Sequence, residues 1–493
     1  MDTNYSTIPK GSHVELQTLN EADDFASQQR MLFPDDGNWE NELLITRGVD
    51  DEDSDADIGD DTLILSKPHK ESGIPGAVFN LTTTIIGAGM MALPATMKVL
   101  GLVLGLALMV VIGILSEISV EMLIKYAISC KAKSYGEVVE VAMGRTARVV
   151  SEICIIINNA GVLVVYLIII GDVMSGSIHH HHDGVLDQWL GHGFWDHRKI
   201  LVLVIMLLFL APLCSLNRID SLSTTSAASV ALAVVFVGVC FGVALIKLIE
   251  GKIKSPKMSP DFESRKTILD LLVVIPVISN AYVCHFNVQP IYNELEGRSS
   301  QKMNKVVRIT TVICIMVYAS TATSGYLLFG EHTESDILTN FDQSLGIRYS
   351  TALNYIVRIG YVLHLVLVFP VIHFSLRETV DNLVFHGSVP PLVESKQRSL
   401  ALTVVLLVLI YLGSTVIPNI WTAFKYTGST TAVSLGFTFP ALIALRIGEQ
   451  DKGTRLSTAQ KCVSWSMLVL AVIVSVAGTV GNIIYSIQDE SDD

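Results

Sequence analysis

Residues 74–98, IPGAVFNLTTTIIGAGMMALPATMK, decide the fold of this chain. The stretch is uncharged up to its last residue and is long enough to cross a bilayer, because about 20 apolar residues at about 1.5 Å each span the hydrocarbon core. Its middle contains features that interrupt a helix. Residues 87–89, Gly-Ala-Gly, carry no large side chain, Pro94 lacks a backbone donor, and the threonines at 82–84 offer hydroxyls to freed backbone groups. The sequence therefore predicts a discontinuous membrane helix.

Such an interruption has chemical consequences inside a membrane. Freed backbone N–H and C=O groups cannot face lipid, so the break must be buried in protein or line a wet cavity. The N-terminus of a half-helix favours an anion, whereas freed carbonyls suit an ammonium group or a metal cation. One break can therefore hold both ends of a zwitterion. The alternative is that these glycines only allow two helices to pack closely.

Composition indicates a polytopic membrane protein. Of the 493 residues, 50% are hydrophobic and only 16% are charged, and the mean hydropathy is +0.50. Apolar runs of spanning length follow one another, so we predict an all-α fold with about eleven transmembrane helices. These lie near residues 75–98, 101–127, 149–177, 200–216, 224–249, 268–292, 306–329, 352–375, 400–418, 427–446 and 462–486.

The chain divides into three regions by composition. Residues 1–72 hold most of the acidic excess and should form a disordered cytosolic tail. Residues 73–486 form the predicted transmembrane domain, and residues 487–493 form a short acidic tail. No apolar segment or cleavage site near the start suggests a signal peptide. The motif ENELLI, from Glu40 to Ile45, fits an acidic dileucine signal that a sorting adaptor on a vacuolar or lysosomal route could recognise, although such motifs also arise by chance.

Lysine and arginine are more frequent in the loops on one side of the predicted spans. This bias favours a cytosolic N-terminus. The loop between the fifth and sixth spans, with Lys252, Lys254 and Lys257, is basic and does not fit this model. In the loop after the third span, four histidines could bind a metal or respond to pH, but a solvated, variable loop is the simpler interpretation. They are His179, His180, His181 and His182.

The sixth predicted span is the second candidate for a broken helix. Pro276 should break its hydrogen-bond ladder, Ser279 and Asn280 follow within one turn, and His285 and Pro290 come later in the span. In transporters built from two inverted five-helix repeats, the first and sixth helices are the discontinuous pair at the substrate site. This match in position favours a transport site over packing glycines.

Two motifs carry a family resemblance. FNLTTTIIGAGMMALP, which starts at Phe79, and CHFNVQPIYNEL, which starts at Cys284, resemble the signatures of the amino acid/auxin permease family. Within it, the sequence is most similar to the sodium-coupled neutral amino acid transporters and their plant vacuolar relatives. The resemblance covers about residues 72–486. It implies an inverted five-helix repeat, the LeuT-like fold, that moves neutral amino acids together with a coupling cation.

The candidate substrate site combines both interrupted spans. The backbone at 87–89 should bind the carboxylate of the substrate, and carbonyls near 80–84 with two polar side chains of the sixth span should receive its ammonium group. Asn158, Asn159 and Tyr166 of the third span could add polar lining or could bond helices to one another. The predicted substrate-binding residues are Asn80, Thr83, Thr84, Gly87, Ala88, Gly89, Ser279 and Asn280.

The coupling ion is a separate question. Sodium-dependent members of the family use hydroxyl residues of the eighth span, but residues 365–369 of this chain offer neither serine nor threonine. We therefore prefer protons to sodium, which stays the alternative. Ionisable candidates at membrane depth or near its edge are His285, His364, His373, Glu117, Glu121, Glu152 and Asp172.

Other functional classes are less well supported. Nothing in the sequence indicates an enzyme, a cofactor, a metal site or a nucleic-acid partner. An amino-acid sensor that uses the same fold and signals through the acidic tail is compatible with the residues. The sequence favours the vacuolar or lysosomal membrane, with the plasma membrane as the alternative.

Overall fold

The structure, a computed structural model, describes residues 72–176, 184–191, 193–216, 223–260, 265–385, 390–417, 419–450 and 456–492. Within these residues the chain is built from helices and connecting loops, with one isolated β-bridge between Ser72 and Leu295. That bridge joins the start of the first span to the end of the sixth, since Ser72 N–H donates to the Glu294 carbonyl at 2.8 Å. The predicted all-α fold is confirmed.

The helices follow the predicted order of spans, and the names span 1 to span 11 are used for them below. Span 1 is Ile74–Ile85 with Gly89–Leu100, span 2 is Leu102–Ser129, span 3 is Arg145–Ser175, and span 4 is Arg198–Ile205, Met206–Leu210 and Ala211–Cys214. Span 5 is Ser223–Ile249, span 6 is Arg265–Ala281 with His285–Asn293, span 7 is Ser300–Phe329, and span 8 is Ser350–Phe385. Span 9 is Lys396–Val416, span 10 is Ile420–Thr427, Gly428–Ala432, Ser434–Thr438 and Phe439–Gln450, and span 11 is Thr458–Asp492.

Short helices connect the spans. Tyr135–Met143 lies between spans 2 and 3, while Val185–Leu190 and Phe194–Asp196 lie between spans 3 and 4. Gly330–His332 and Ile337–Asp342 lie between spans 7 and 8, and Leu392–Glu394 precedes span 9.

The span count is close to the prediction. Nine described helices are long and apolar enough to cross a membrane, and the two halves of span 1 together make a tenth. Span 4 is shorter, because its three helical segments of 8, 5 and 4 residues reach only about 25 Å at about 1.5 Å per residue. The predicted eleven are therefore reached only when this shorter helix is included.

Local sequence sets several helix ends. Ser134 and Asn419 cap helices by accepting backbone N–H groups with their side chains. Gly101 turns the chain from span 1 into span 2 with φ of +71°, and a Cβ there would lie 2.6 Å from the backbone nitrogen of Ser259. Only glycine suits both this backbone conformation and this close approach.

Spans 1 and 6 lie in the interior of the bundle. In the most apolar part of span 6, 83% of residues are buried, against 28% in span 11. Span 1 packs against spans 5, 6 and 7. Most residues of the two interrupted helices are therefore covered by other spans, as broken backbone at membrane depth requires.

Candidate functional site

The break in span 1 lies where the sequence predicts it. Ile74–Ile85 ends at Ile86, which has an extended backbone, and the second half-helix starts at Gly89 with its axis bent by 54°. Pro94 lies inside that second half-helix and does not interrupt it. The glycine-rich segment therefore makes the break, and the proline does not contribute to it.

The break in span 6 lies later than predicted. The helix continues through Pro276 to Ala281, and the interruption is residues 282–284, Tyr-Val-Cys. The expectation that Pro276 breaks the ladder was wrong. A proline removes one hydrogen bond, which a buried helix in a bundle can lose without ending. Pro276 instead packs against a glycine of span 11, where a Cβ on Gly478 would lie 2.7 Å from its ring.

The two breaks touch each other. A Cβ built on Gly89 would lie 3.1 Å from both the Cα and the Cβ of Ala281, so the glycine permits the contact. Tyr318 of span 7 joins the breaks more directly, because its hydroxyl lies 2.6 Å from the Ile85 carbonyl and 2.8 Å from the Ala281 carbonyl. A hydroxyl has one proton, so the two carbonyls share it.

Two further tyrosines cover the break in span 1. The Tyr361 hydroxyl donates to the Gly87 carbonyl at 2.8 Å. The Tyr166 hydroxyl lies over Gly87 so closely that a Cβ there would be 2.1 Å from its oxygen. Sequence reasoning named Tyr166 but missed Tyr318 and Tyr361. Tyrosines at the depth of a predicted break are the signal that could have found them, since a buried phenol needs a partner.

A cavity of about 30 Å³ lies between the breaks. It has room for about two water molecules. Its lining consists of backbone, amide, hydroxyl and apolar groups, with no acidic or basic side chain. The lining residues are Thr84, Ile85, Gly87, Ala88, Gly89, Asn158, Val162, Tyr166, Asn280, Ala281, Val283, Phe286, Ile372 and Phe424.

The cavity brings together five of the eight predicted substrate residues. These are Thr84, Gly87, Ala88, Gly89 and Asn280. Asn280 donates from Nδ2 to the Thr427 hydroxyl at 3.1 Å. Its Oδ1 is buried and has no hydrogen-bond partner within the described residues. An amide oxygen of this kind is a ready acceptor for an ammonium group.

The other three predicted substrate residues lie outside the lining. Thr83 donates to the Ser226 carbonyl at 3.1 Å, so it faces span 5. Ser279 bonds back to the Ile275 carbonyl of its own helix at 2.9 Å. Asn80 is buried, and its carbonyl accepts from Thr84 at 2.9 Å. Adjacent residues of a helix point about 100° apart, so Thr83 and Ser279 face away from the cavity that their neighbours Thr84 and Asn280 line.

The asparagines of span 3 have different surroundings. Asn158 lines the cavity and accepts weakly from Thr431 of span 10 at 3.4 Å. Asn159 donates to Ser375 of span 8, also at 3.4 Å. Asn158 therefore lines the cavity and also bonds to another helix, whereas Asn159 only bonds helices to one another.

The three histidine candidates are fully buried, and each has different surroundings. His285 bonds through Nε2 to the Ser119 hydroxyl at 2.9 Å, and that hydroxyl in turn donates to the Gly436 carbonyl. His364 bonds through Nδ1 to the Ser229 carbonyl at 2.7 Å. His373 has no hydrogen-bond partner for either ring nitrogen among the described residues. None of the three lines the cavity.

The carboxylate candidates all lie in ion pairs. Glu117 and Glu121 share Arg308 at 3.2 and 3.5 Å. Glu152 pairs with Arg148 at 2.9 Å, and Asp172 pairs with Arg198 at 2.8 Å. These contacts tie Glu117, Glu121 and Asp172 to neighbouring spans and Glu152 to its own helix, and none of the four lines the cavity.

Some predictions fall outside the described residues. The motif from Glu40 to Ile45, the acidic tail and the histidines at 179–182 belong to this group, so the sorting-adaptor and sensor hypotheses stay predictions. Among the residues that are described, no group of histidine, cysteine and acidic side chains could hold a metal ion.

Comparison with known proteins identifies the family. The model described as "Transmembrane amino acid transporter protein" matches residues 70–484. The chain is similar to amino acid transporter AVT6E of Arabidopsis thaliana, at 68% identity over 499 residues and 100% of both chains. Amino acid transporter AVT6A of the same plant is 46% identical over 400 residues, which cover 81% of this chain and 85% of that protein.

Solved structures show the same architecture. MhsT in complex with L-phenylalanine has a TM-score of 0.53 at 16% identity, covering 83% of this chain and 98% of that one. A mutant manganese transporter from Eremococcus coleocola has a TM-score of 0.54 at 13% identity, covering 83% and 85%. These likenesses show the fold alone, and they confirm the predicted LeuT-like arrangement.

The family match confirms the resemblance that the two motifs carry, and it excludes an enzyme. With ten described spans and a broken helix pair, the chain is a multi-pass membrane protein. It belongs to the transmembrane amino acid transporter family.

Proposed function

We propose that this protein carries neutral amino acids across the vacuolar membrane in exchange for, or together with, protons. The proposal has three parts, which concern the substrate, the coupling ion and the membrane. The observation that carries it is the lining of the cavity between the two breaks, which contains no acidic or basic side chain.

The lining supports a neutral substrate. A charged substrate side chain taken out of water needs an opposite charge or several hydrogen bonds, and its burial without them costs several kcal/mol. Beyond the polar groups at the breaks, the cavity offers Val162, Val283, Phe286, Ile372 and Phe424. Such a surface favours an aliphatic or small polar side chain.

The two ends of a zwitterion match the two breaks. The carboxylate can accept from the backbone N–H groups at 87–89, where the second half-helix begins and its dipole favours negative charge. The ammonium group can donate to Asn280 Oδ1, which lacks a partner among the described residues. It can also reach the Ala281 carbonyl, which already shares its proton donor with Ile85.

The cavity must expand when substrate binds. A volume of about 30 Å³ holds about two waters and is too small for an amino acid. The half-helices and the tyrosines around them therefore move apart on binding. This coupling of binding to movement is what alternating access requires.

The surroundings of span 1 support protons over sodium. Sodium needs several oxygen ligands, and the tyrosine hydroxyls on the Gly87 and Ile85 carbonyls occupy one lone pair of each. From span 8, the Tyr361 hydroxyl reaches the Gly87 carbonyl, while Leu365, Val368 and Phe369 are buried and carry no oxygen on their side chains. The buried histidines remain the proton-carrier candidates from the sequence.

The membrane assignment rests on two weaker supports. A proton-coupled carrier suits an acidic compartment, and the motif from Glu40 to Ile45 fits a signal for that route. The lysine and arginine bias supports a cytosolic N-terminus, which places the loop between spans 7 and 8 on the luminal side.

Uptake by purified protein in proteoliposomes tests the substrate and the ion. A pH gradient and a sodium gradient are imposed separately, with glutamine, alanine and arginine as substrates. We expect uptake of glutamine and alanine to follow the pH gradient, and arginine to be carried poorly. Uptake that requires sodium would overturn the proton proposal, and efficient arginine uptake would overturn the neutral one. Immunolocalisation of the tagged wild type and of a variant with Leu44→Ala and Ile45→Ala tests the membrane, because these residues are the Leu-Ile pair of the motif. We expect wild type at the vacuolar membrane and the variant elsewhere, and wild type at the plasma membrane would overturn the assignment.

A further inference from the structure

The loop between spans 7 and 8 contains a short helix that packs against the bundle. We use the name lid for Ile337–Asp342 with Asp336 immediately before it. The lid contacts spans 3 and 8 and the second half of span 1. Ile337, Leu338 and Phe341 are fully buried, and the Phe341 ring packs on Phe329 with centroids 5.3 Å apart. The lid is therefore part of the packed core.

Asp336 is the charged residue at the start of this lid. It is only 6% exposed. Its Oδ1 accepts from the Leu338 N–H at 3.0 Å, which starts the lid helix. Its Oδ2 is buried and has no hydrogen-bond partner within the described residues. A buried carboxylate oxygen without a donor is costly when charged, and a proton on it removes most of that cost.

Charged groups from spans 3 and 8 act on Asp336, and one from span 1 contacts the loop just before the lid. Arg358 of span 8 is buried and donates to the Val173 carbonyl at 3.0 Å. Asp172 of span 3 is paired with Arg198 of span 4 at 2.8 Å. From span 1, Lys98 approaches the Thr333 carbonyl at 3.5 Å. Span 5 contributes the apolar ring of Phe236, whose centroid is 6.4 Å from that of Phe341.

These surroundings set the pKa of Asp336, which lies outside the spans. Burial raises it to about 7 from the ordinary value of 3.8. The Leu338 N–H lowers it, the negative charge of Asp172 raises it, and Arg358 lowers it. Burial outweighs the two favourable contacts, because only one of the two carboxylate oxygens receives a hydrogen bond.

We propose that Asp336 is a proton-binding site, and that its protonation holds the lid against spans 1, 3 and 8. The closed lid binds the proton more tightly than the open lid, in which Asp336 reaches water. Acid therefore stabilises closure, and this stabilisation is lost as the pH rises from the open-state pKa through the closed-state pKa. That closure of the lid is coupled to transport rests on the proposed proton-coupled function. The binding of a proton to Asp336 and its effect on the lid do not depend on that function.

Hydrogen–deuterium exchange on the full-length protein in proteoliposomes, without substrate, tests the lid directly. Wild type and Asp336→Asn are compared at each pH from 5.5 to 8, so that the intrinsic pH dependence of exchange cancels. With pKa values of 3.8 and about 7, the fraction of open lid should rise about tenfold between pH 6 and pH 8 in wild type. Asn resembles the protonated acid, so the variant should keep its protection at every pH.

Glu334→Gln is the matched control, because it removes one negative charge from the same loop, and Glu334 contacts Asn340 through its backbone N–H alone. It should exchange like wild type. Equal exchange of wild type and Asp336→Asn across the pH range would overturn the proposal. So would wild-type protection that does not change between pH 6 and pH 8, a result that needs no variant to fold. If the exchange of the lid depends on pH as expected but uptake does not follow the pH gradient, Asp336 remains a proton-binding site and the proposed coupling of protons to transport is rejected.

Discussion

The two breaks lie side by side but are built differently. In span 1 the chain bends by 54° at a glycine-rich segment, and each glycine allows a close contact, Gly87 with Tyr166 and Gly89 with Ala281. In span 6 the break falls at residues 282–284, which contain neither glycine nor proline. Its carbonyls are bonded by other spans, Ala281 by Tyr318 and Tyr282 by the Ser116 hydroxyl at 3.2 Å.

This difference separates two ways to interrupt a helix. Span 1 is broken by its own residues, since small side chains let neighbours approach the bent backbone. Hydroxyls of neighbouring spans bond carbonyls at both breaks. In span 6, which has no glycine or proline at its break, this bonding is the feature that compensates the interruption. Substitutions in span 1 itself should therefore have large effects at its break, whereas the break in span 6 should be most sensitive to changes in spans 2 and 7.

The largest effect is expected for Gly87→Ala. A Cβ at this position would lie 2.1 Å from the hydroxyl oxygen of Tyr166, which is 1% exposed and has little room to move. Overpacking of this kind costs about 1–3 kcal/mol, and we expect uptake to fall by roughly tenfold or more with normal amounts of protein in the membrane.

Gly360→Ala in span 8 is the matched control for Gly87→Ala, since its Cβ would meet no atom within 4 Å. It should transport normally. The double variant Gly87→Ala with Tyr166→Phe should recover part of the uptake, because the clashing oxygen is removed. Full activity of Gly87→Ala alone would show that the Tyr166 contact does not constrain the break.

Tyr318→Phe should have the next largest effect. It removes the hydroxyl shared by the Ile85 and Ala281 carbonyls and leaves both buried acceptors without that donor. An unsatisfied buried group costs about 1–3 kcal/mol, so we expect a lower midpoint of thermal unfolding and slower uptake. Tyr326→Phe, in the same span, loses a bond to the Lys257 backbone in an outer loop and should be milder. If the two variants have equal effects, the Tyr318 hydroxyl is not what joins the two breaks.

Asn280→Ala should act on substrate affinity. The change removes Oδ1, the acceptor assigned to the ammonium group, so the KM for glutamine should rise by roughly tenfold, as the loss of about 1.4 kcal/mol implies. Asn482→Ala is the control, because Asn482 is an equally buried amide that bonds the Lys425 carbonyl outside the cavity. If both variants raise KM equally, Asn280 has only a packing role.

The smallest effect is expected for Pro276→Ala. The helix already runs through this position, so restoring the backbone N–H should leave the break at residues 282–284 unchanged. Uptake should stay within about twofold of wild type, with a slight loss of stability from the lost contact with Gly478. A severe loss of uptake would show that the break in span 6 depends on its proline after all.

The same contrast explains what the sequence could predict. The break in span 1 was predicted correctly because glycine carries the information locally. The site of the break in span 6 was not, since Ser116 and Tyr318 come from elsewhere in the chain. Thr83 and Ser279 were assigned to the substrate by their polarity, but each already bonds a backbone carbonyl. The direction in which a hydroxyl points depends on packing, which no local pattern contains.

Tyr318 has a further consequence for the energetics of binding. In the binding mode proposed above, its one proton serves two carbonyls, so one of them can turn to the substrate ammonium group while the phenol stays bonded to the other. Binding then becomes an exchange of partners in which no donor or acceptor is left alone. Such an exchange keeps the free-energy barriers between the empty and the loaded carrier low. With low barriers, the carrier can release its substrate as readily as it binds it.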